Sequence, residues 1–216
     1  MLARVPLLRL FLLGGVLGAG LAAQSPLAPA AELLDRAVRQ ALVPGAVLYV
    51  GRGGAQRRME PFVHASGALA LVPEAQTMVA DALFDLASLT KPVATATAVM
   101  ILVERGKLAL EARVSDYLPA FAARGKCAVT LEHLLLHRSG LTADNPIGDY
   151  TRGRPEALAR ICELQLLSQP GSQFVYSDVG FILLGWLVEL VDGRPLDEFC
   201  QEEIFGPLGM RDTLFC

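Results

Sequence analysis

Ser88 stands one helical turn before Lys91 in the stretch Phe84-Asp85-Leu86-Ala87-Ser88-Leu89-Thr90-Lys91-Pro92, at the head of an apolar run from Val93 to Glu104. Positions i and i+3 share a helix face, so the lysine amine can reach the serine hydroxyl. A serine hydroxyl is a weak nucleophile until a neighbour takes its proton, and an amine takes one only if its pKa is brought down by burial or nearby positive charge. Leu86, Ala87, Leu89, Val93 and Ala94 supply apolar surroundings for that. The free N–H groups of the first helical turn would favour an oxyanion beside Ser88. The same letters also describe a plain helix start, capped by Ser88 or Thr90 with Lys91 in solvent. A serine and a lysine at this spacing are common, and the pair gains meaning only from what surrounds it.

Several elements must position that pair. Ala31 to Leu42 carries Leu33, Leu34, Ala37, Val38, Ala41 and Leu42 at helical spacing, and Pro44-Gly45 stops it. The run Ala46 to Val50 reads as a strand, and Gly51-Arg52-Gly53-Gly54 as a hairpin turn into a second strand between Gln56 and Leu71. No phosphate-loop signature is completed by these glycines. The Val93–Glu104 helix ends at Gly106, and Leu108 to Leu118 holds a short segment. Thr130 is placed to cap a helix from Leu131 to His137, and a further helix is expected over Glu156 to Leu167. Ser177 or Asp178 is placed to cap an apolar helix from Val179 to Val191, which is too short for a membrane span and fits a buried central helix. Leu196 to Ile204 follows as the next helix.

His133 and His137, four apart, would share a helix face, but Glu132 precedes the first, so H-E-x-x-H is not formed and no third ligand is evident. No metal is expected, and His137 is better read as packing or hydrogen bonding at a helix end. A Ser-His-Asp arrangement of Ser139 or Ser88 with His137 and Asp144 is the weaker catalytic reading, because no G-x-S-x-G elbow is present.

The chain has 216 residues, 53% of them hydrophobic, with a net charge of −3 from 19 basic and 22 acidic residues. That suffices for one large core and gives no basic surface for nucleic acid. Arg4 and Arg9, the uncharged run Leu10 to Ala23 and the small residues Gly20-Leu21-Ala22-Ala23 follow the order of a secretory signal peptide, here over residues 1–23. Residues 24–216 then form the mature domain, with a secreted or periplasmic destination and no membrane span after cleavage. The four cysteines, Cys127, Cys162, Cys200 and Cys216, form no C-x-x-C. Export permits disulfides, but Cys162 and Cys200 lie in helical patterns among apolar neighbours, as buried thiols do.

Three stretches fall in a telling order: Ser88-Leu89-Thr90-Lys91, His137-Arg138-Ser139-Gly140-Leu141, and Pro170-Gly171 followed by Tyr176-Ser177-Asp178. With Leu131 to Leu141 and Ile204-Phe205-Gly206-Pro207-Leu208-Gly209-Met210, they resemble the serine β-lactamase and penicillin-binding hydrolases, particularly the class C β-lactamase, D,D-peptidase and esterase branch. The resemblance covers about residues 40 to 215. It implies an α/β (α+β) fold, with an antiparallel sheet flanked by helices and a helical subdomain. It implies Ser88 as the acylated nucleophile, Lys91 as acceptor of its proton, and Tyr176 as base and then acid, with its pKa of about 10 lowered by Lys91. Asp178 takes the substrate-facing position where that motif has Asn. Its charge is expected to raise the Lys91 pKa and turn the site away from anionic β-lactams. The implied substrate is a β-lactam, a D-Ala-D-Ala peptide of peptidoglycan or a small ester, with no cofactor. The family's K-T-G or H-x-G strand motif is not met, since neither Lys nor His follows Asp178. The expectation is therefore that the final strands are missing, and the alternative function is a catalytically impaired fragment or a non-catalytic relic that binds cell-wall peptide.

Overall fold

The computed structural model describes residues 25–51 and 61–215. The expected signal peptide, most of the Gly51–Gly54 turn and Cys216 lie outside these residues. The described chain forms two compact units, one up to Ala82 and the other from Leu83 onward.

The first unit holds helix α1 (Ala28–Arg39) and a three-stranded antiparallel sheet in the order β1 (Gly45–Val50), β2 (Phe62–Ala70), β3 (Gln76–Thr77). The hairpin expected from the β-branched run is present, with Gly45 opposite Gly67 and Val50 opposite Phe62. Gly67, at φ 83°, lies where a Cβ would come within 2.4 Å of the Pro44 carbonyl, so the hairpin's base closes only on glycine. α1 is tied to β2 by His64 Nε2 and Asp35 Oδ1, 2.8 Å apart.

The second unit is helical. A 3₁₀ turn (Ala87–Leu89) and a π turn (Lys91–Ala96) lead into α2 (Thr97–Glu104), and α3 (Val114–Tyr117), α4 (Leu131–Leu135) and α5 (Arg154–Glu163) follow. α6 (Asp178–Asp192) is the long helix of the unit; α7 (Leu196–Cys200), a π turn (Gln201–Phe205) and α8 (Gly206–Leu208) end it. α6 buries Val179, Phe181, Leu183, Leu184, Leu187 and Val188 against Ala98, Val99 and Leu102 of α2, Leu131 and Leu134 of α4, and Phe199. It is the buried central helix that its composition calls for. The run Ala87–Glu104 is long and apolar enough to cross a membrane. Here it carries the ion-paired Lys91 and packs Ala94, Ala98, Val99 and Leu102 into this core.

Helix bounds depart from expectation in α1, which runs Ala28–Arg39 where Ala31 to Leu42 was expected, and in α4 and α5. α4 stops at Leu135 and His137 adopts a left-handed φ of 56°, so His133 and His137 do not share a helix face. α5 begins at Arg154, after a Gly153 N-cap and with Pro155 in its first turn, and ends at Glu163 because Leu164 turns extended. The expected thiols Cys162 and Cys200 are buried and unpaired, and Cys127 is an exposed thiol.

One buried charge was not anticipated. Lys126 is fully buried, and its Nζ donates to the carbonyls of Ala123 (2.8 Å), Cys162 (2.7 Å) and Leu164 (2.7 Å). It gathers the open C-terminal carbonyls of α5, which would otherwise be orphaned. Burial pushes its amine below the ordinary lysine value.

Candidate active site

The turn bearing Ser88 is built by Asp85, whose Oδ1 accepts the Ala87 N–H at 2.7 Å, while Ala87 sits at φ 44°. A left-handed alanine is strained, and it turns the chain sharply just before Ser88, which it leaves exposed. Neither Ser88 nor Thr90 caps the helix. The π turn that follows, a deviation often found at functional sites, contains Pro92, whose carbonyl accepts the Thr97 hydroxyl at 2.8 Å.

Lys91 is not in solvent. Its side chain is 15% exposed, its Nζ lies 3.5 Å from Ser88 Oγ, and it is ion-paired with Asp178 Oδ1. It also stands 4.9 Å from the centre of the Tyr176 ring and 5.8 Å from that of Phe181. All four side chains that the sequence singles out, Ser88, Lys91, Tyr176 and Asp178, thus meet at one place.

Tyr176-Ser177-Asp178 is held there by the segment after α4. The Val175 N–H donates to the His137 carbonyl (2.9 Å), the Ser177 N–H to His137 Nδ1 (3.0 Å), the Ser177 hydroxyl to the Thr142 carbonyl (2.7 Å), and the Asp178 N–H to the Ala143 carbonyl (2.8 Å). Ser177 caps α6 by accepting the Gly180 N–H at 3.1 Å. Asp178 occupies the first turn of α6, where the helix dipole favours a carboxylate. Gly140, at φ 81°, is required beneath this stitching: a Cβ there would lie 2.2 Å from the Ser168 carbonyl.

The electrostatics run in two directions. Burial works against charge on the Lys91 amine, but the hydrogen bonds of Asp178 and Tyr176 outweigh it and hold the amine above the ordinary lysine value. Tyr176 moves the other way: hydrogen bonding from the Ser88 hydroxyl, and then from Lys91, holds its phenol below the ordinary value. A resting Lys91 is therefore an ammonium, and the phenol is the one of the two that gives up its proton more readily to become a base. A cavity of ≈ 560 Å³ opens beside Lys91 and Asp178, walled by Ala87, Thr90, Phe181, Ile182 and Trp186. A more apolar cleft of ≈ 450 Å³, between Leu118, Leu158, Leu183, Leu187 and Leu190, carries only Arg154 and Glu189 as charged groups, and these pair with each other.

The Ser-His-Asp alternative is not assembled. Ser139 is buried with its Oγ accepting the Leu141 N–H, and His137 Nδ1 is engaged by Ser177. Among the described residues no group of His, Cys, Asp and Glu is arranged to hold a metal ion. Sequence reasoning missed the ring stack around His137: Tyr176 lies on it with centroids 4.4 Å apart and 29° between planes, Phe181 tilts against it at 5.0 Å, and Phe174 meets it edge-on at 5.8 Å. The aromatic residues flanking Tyr176 were the available signal.

Residues 30–215 match the Beta-lactamase family profile. An Escherichia coli K12 protein provisionally described as a D-alanyl-D-alanine carboxypeptidase is 38% identical over 146 residues, which are 62% of this chain and 34% of that protein. An N-acetylmuramyl-L-alanine amidase of Bacillus subtilis strain 168 is 33% identical over 187 residues, 80% of this chain and 42% of its own length. The chain thus spans less than half the length of these relatives. A class C β-lactamase structure superposes with a TM-score of 0.74 over 86% of this chain and 49% of that one, at 22% identity, and so shares its fold. The mixed α/β architecture, a short antiparallel sheet with helices, agrees with that likeness. The chain belongs to the Beta-lactamase family, and so to a superfamily of serine hydrolases.

Proposed function

We propose that the protein is an exported serine hydrolase that forms an acyl-enzyme on Ser88, acting on a D-Ala-D-Ala peptide, a β-lactam or a small ester or amide. The observation that carries this reading is the meeting of Ser88 Oγ with Lys91 Nζ, 3.5 Å away, between the Tyr176 ring and the Asp178 carboxylate. The phenolate form of Tyr176 takes the Ser88 proton as Oγ bonds to the substrate carbonyl carbon. The resulting phenol then gives that proton to the leaving group as the scissile bond breaks, and water hydrolyses the ester on Ser88. Lys91 was expected to accept the proton itself. Its ion pair with Asp178 supports a different role, an ammonium that stabilises the Tyr176 phenolate and the developing oxyanion. Asp178 also sets selectivity: a carboxylate accepts hydrogen bonds but donates none, so a neutral or cationic acyl group is preferred over an anionic one.

The test is turnover of a panel containing a D-Ala-D-Ala peptide, a penicillin and a neutral p-nitrophenyl ester by the purified chain, with Ser88→Ala as control. Hydrolysis lost in the variant supports the reading. Binding of the peptide without turnover of any member, unchanged by Ser88→Ala, would overturn it in favour of a non-catalytic cell-wall peptide binder.

A further inference from the structure

We infer that His137, as a neutral imidazole, is the positioning residue that holds Tyr176 against Ser88 and Lys91. The catalytic consequence rests on the hydrolase reading above; the placement does not. The residue is fastened in three ways. Its ring carries the Tyr176 ring on one side, with centroids 4.4 Å apart, and meets Phe181 at 5.0 Å. Its Nδ1 accepts the N–H of Ser177, the residue after Tyr176, at 3.0 Å. Its carbonyl accepts the N–H of Val175, the residue before Tyr176, at 2.9 Å. Tyr176 is thereby gripped from both flanking peptides and from its ring face by one residue.

Such a grip is not what packing alone asks for. His137 adopts φ 56°, a left-handed conformation uncommon for any residue other than glycine, although histidine takes it more readily than most. That conformation persists only where the surroundings fix it. The geometry also fixes the ring's chemistry. An Nδ1 that accepts a backbone N–H must be unprotonated, so the single ring proton sits on Nε2. Protonation would set N–H against N–H at Ser177 and place a second cation on the Tyr176 ring, whose centre already lies 4.9 Å from Lys91 Nζ. The charged and titratable groups facing His137 are Lys91, which opposes protonation, Asp178, which favours it, and Tyr176 itself. Burial, and then Lys91, hold the imidazole below its ordinary value of 6.5 against the opposing pull of Asp178. The contribution of neutral His137 is complete above that value and is lost as pH falls through the lowered one.

Three measurements on the full chain test this. In the unmodified protein, nuclear magnetic resonance should find the Ser177 amide proton protected from exchange at neutral pH, with protection lost in step with the titration of His137. Ser177 protection that ignores the His137 titration would overturn the inference whether or not the protein hydrolyses anything. His137→Asn keeps an acceptor and tolerates the left-handed φ but lacks the ring; His137→Phe keeps the ring and lacks the acceptor. Each should lower kcat by on the order of 100-fold with KM little changed, as misplacement of a catalytic group does. In the Asn variant the log-rate profile should no longer steepen as pH falls through the lowered His137 value. Ultraviolet difference titration, assigned with Tyr176→Phe, should find the Tyr176 phenol returning toward about 10 in both variants. Variants that melt at lower temperature yet keep the parent's phenol titration would reduce His137 to a packing residue and contradict the inference.

Discussion

Lys91 and Lys126 are both withdrawn from water in the same helical unit, and they are held in opposite ways. Lys91 meets a carboxylate, a phenol and a hydroxyl, all side chains, and its amine is driven above the ordinary value. Lys126 meets three backbone carbonyls, and among the described residues no carboxylate lies within ion-pair distance of it; Glu163, which stands between Cys162 and Leu164 in the chain, is taken by Arg124 at 2.6 Å. Its amine is driven down by burial. Carbonyls of a finished helix end ask only for donors, and a lysine that supplies them is scaffold. Ionisable side chains arranged around an exposed hydroxyl exchange protons, and a lysine among them sets their charge. Burial of a cation does not by itself mark a site; the nature of its partners does.

That contrast can be broken at either end. Lys91→Met removes the ammonium beside Ser88 and Tyr176, and acylation should fall by about 1000-fold with the fold intact, read by stopped-flow kinetics and thermal melting. A small loss of rate would move Lys91 to the scaffold class. Lys126→Met should do the reverse. It leaves three carbonyls without their donor and should cost about 3 kcal/mol in urea unfolding, while the acylation rate of the folded fraction stays that of the parent. A subtler change sharpens the contrast. Asp178→Asn removes the carboxylate that raises the Lys91 amine, so the pKa of Lys91 should fall. Activity that needs the ammonium is lost as pH rises through that pKa, so the alkaline limb of the kcat profile should move to lower pH. Penicillin should also gain relative to a neutral ester, by a few-fold. An unmoved limb would mean that Asp178 does not govern Lys91.

The sequence showed much of this and concealed the rest for physical reasons. Thr130 and Ser177 were legible as caps because side-chain oxygens followed by an apolar periodic run have few other uses; both accept a backbone N–H as expected. The apolar α6 was legible by composition. The left-handed φ of Ala87 and His137 was not: the first accompanies a local bond from the Ala87 N–H to Asp85 Oδ1, and the second accompanies tertiary bonds from the Val175 and Ser177 N–H groups. Lys126 was hidden because Arg124-Gly125-Lys126 reads as a polar turn, and the carbonyls it serves come partly from Cys162 and Leu164, distant in sequence. For Lys91 the sequence carried two opposed expectations, an amine lowered by its apolar neighbours and one raised by Asp178, and the second agrees with the structure. Asp178, which decides between them, arrives from the start of a different helix.

The central claim is that Ser88 Oγ is the nucleophile that accepts the acyl group. Its most direct test is mass spectrometry of the protein quenched during reaction with a fluorophosphonate and, separately, a fluorescent penicillin. One adduct on the peptide that contains Ser88, absent in Ser88→Ala and slowed in Tyr176→Phe, is the predicted result. An adduct on any other serine, or labelling that survives Ser88→Ala, would contradict it.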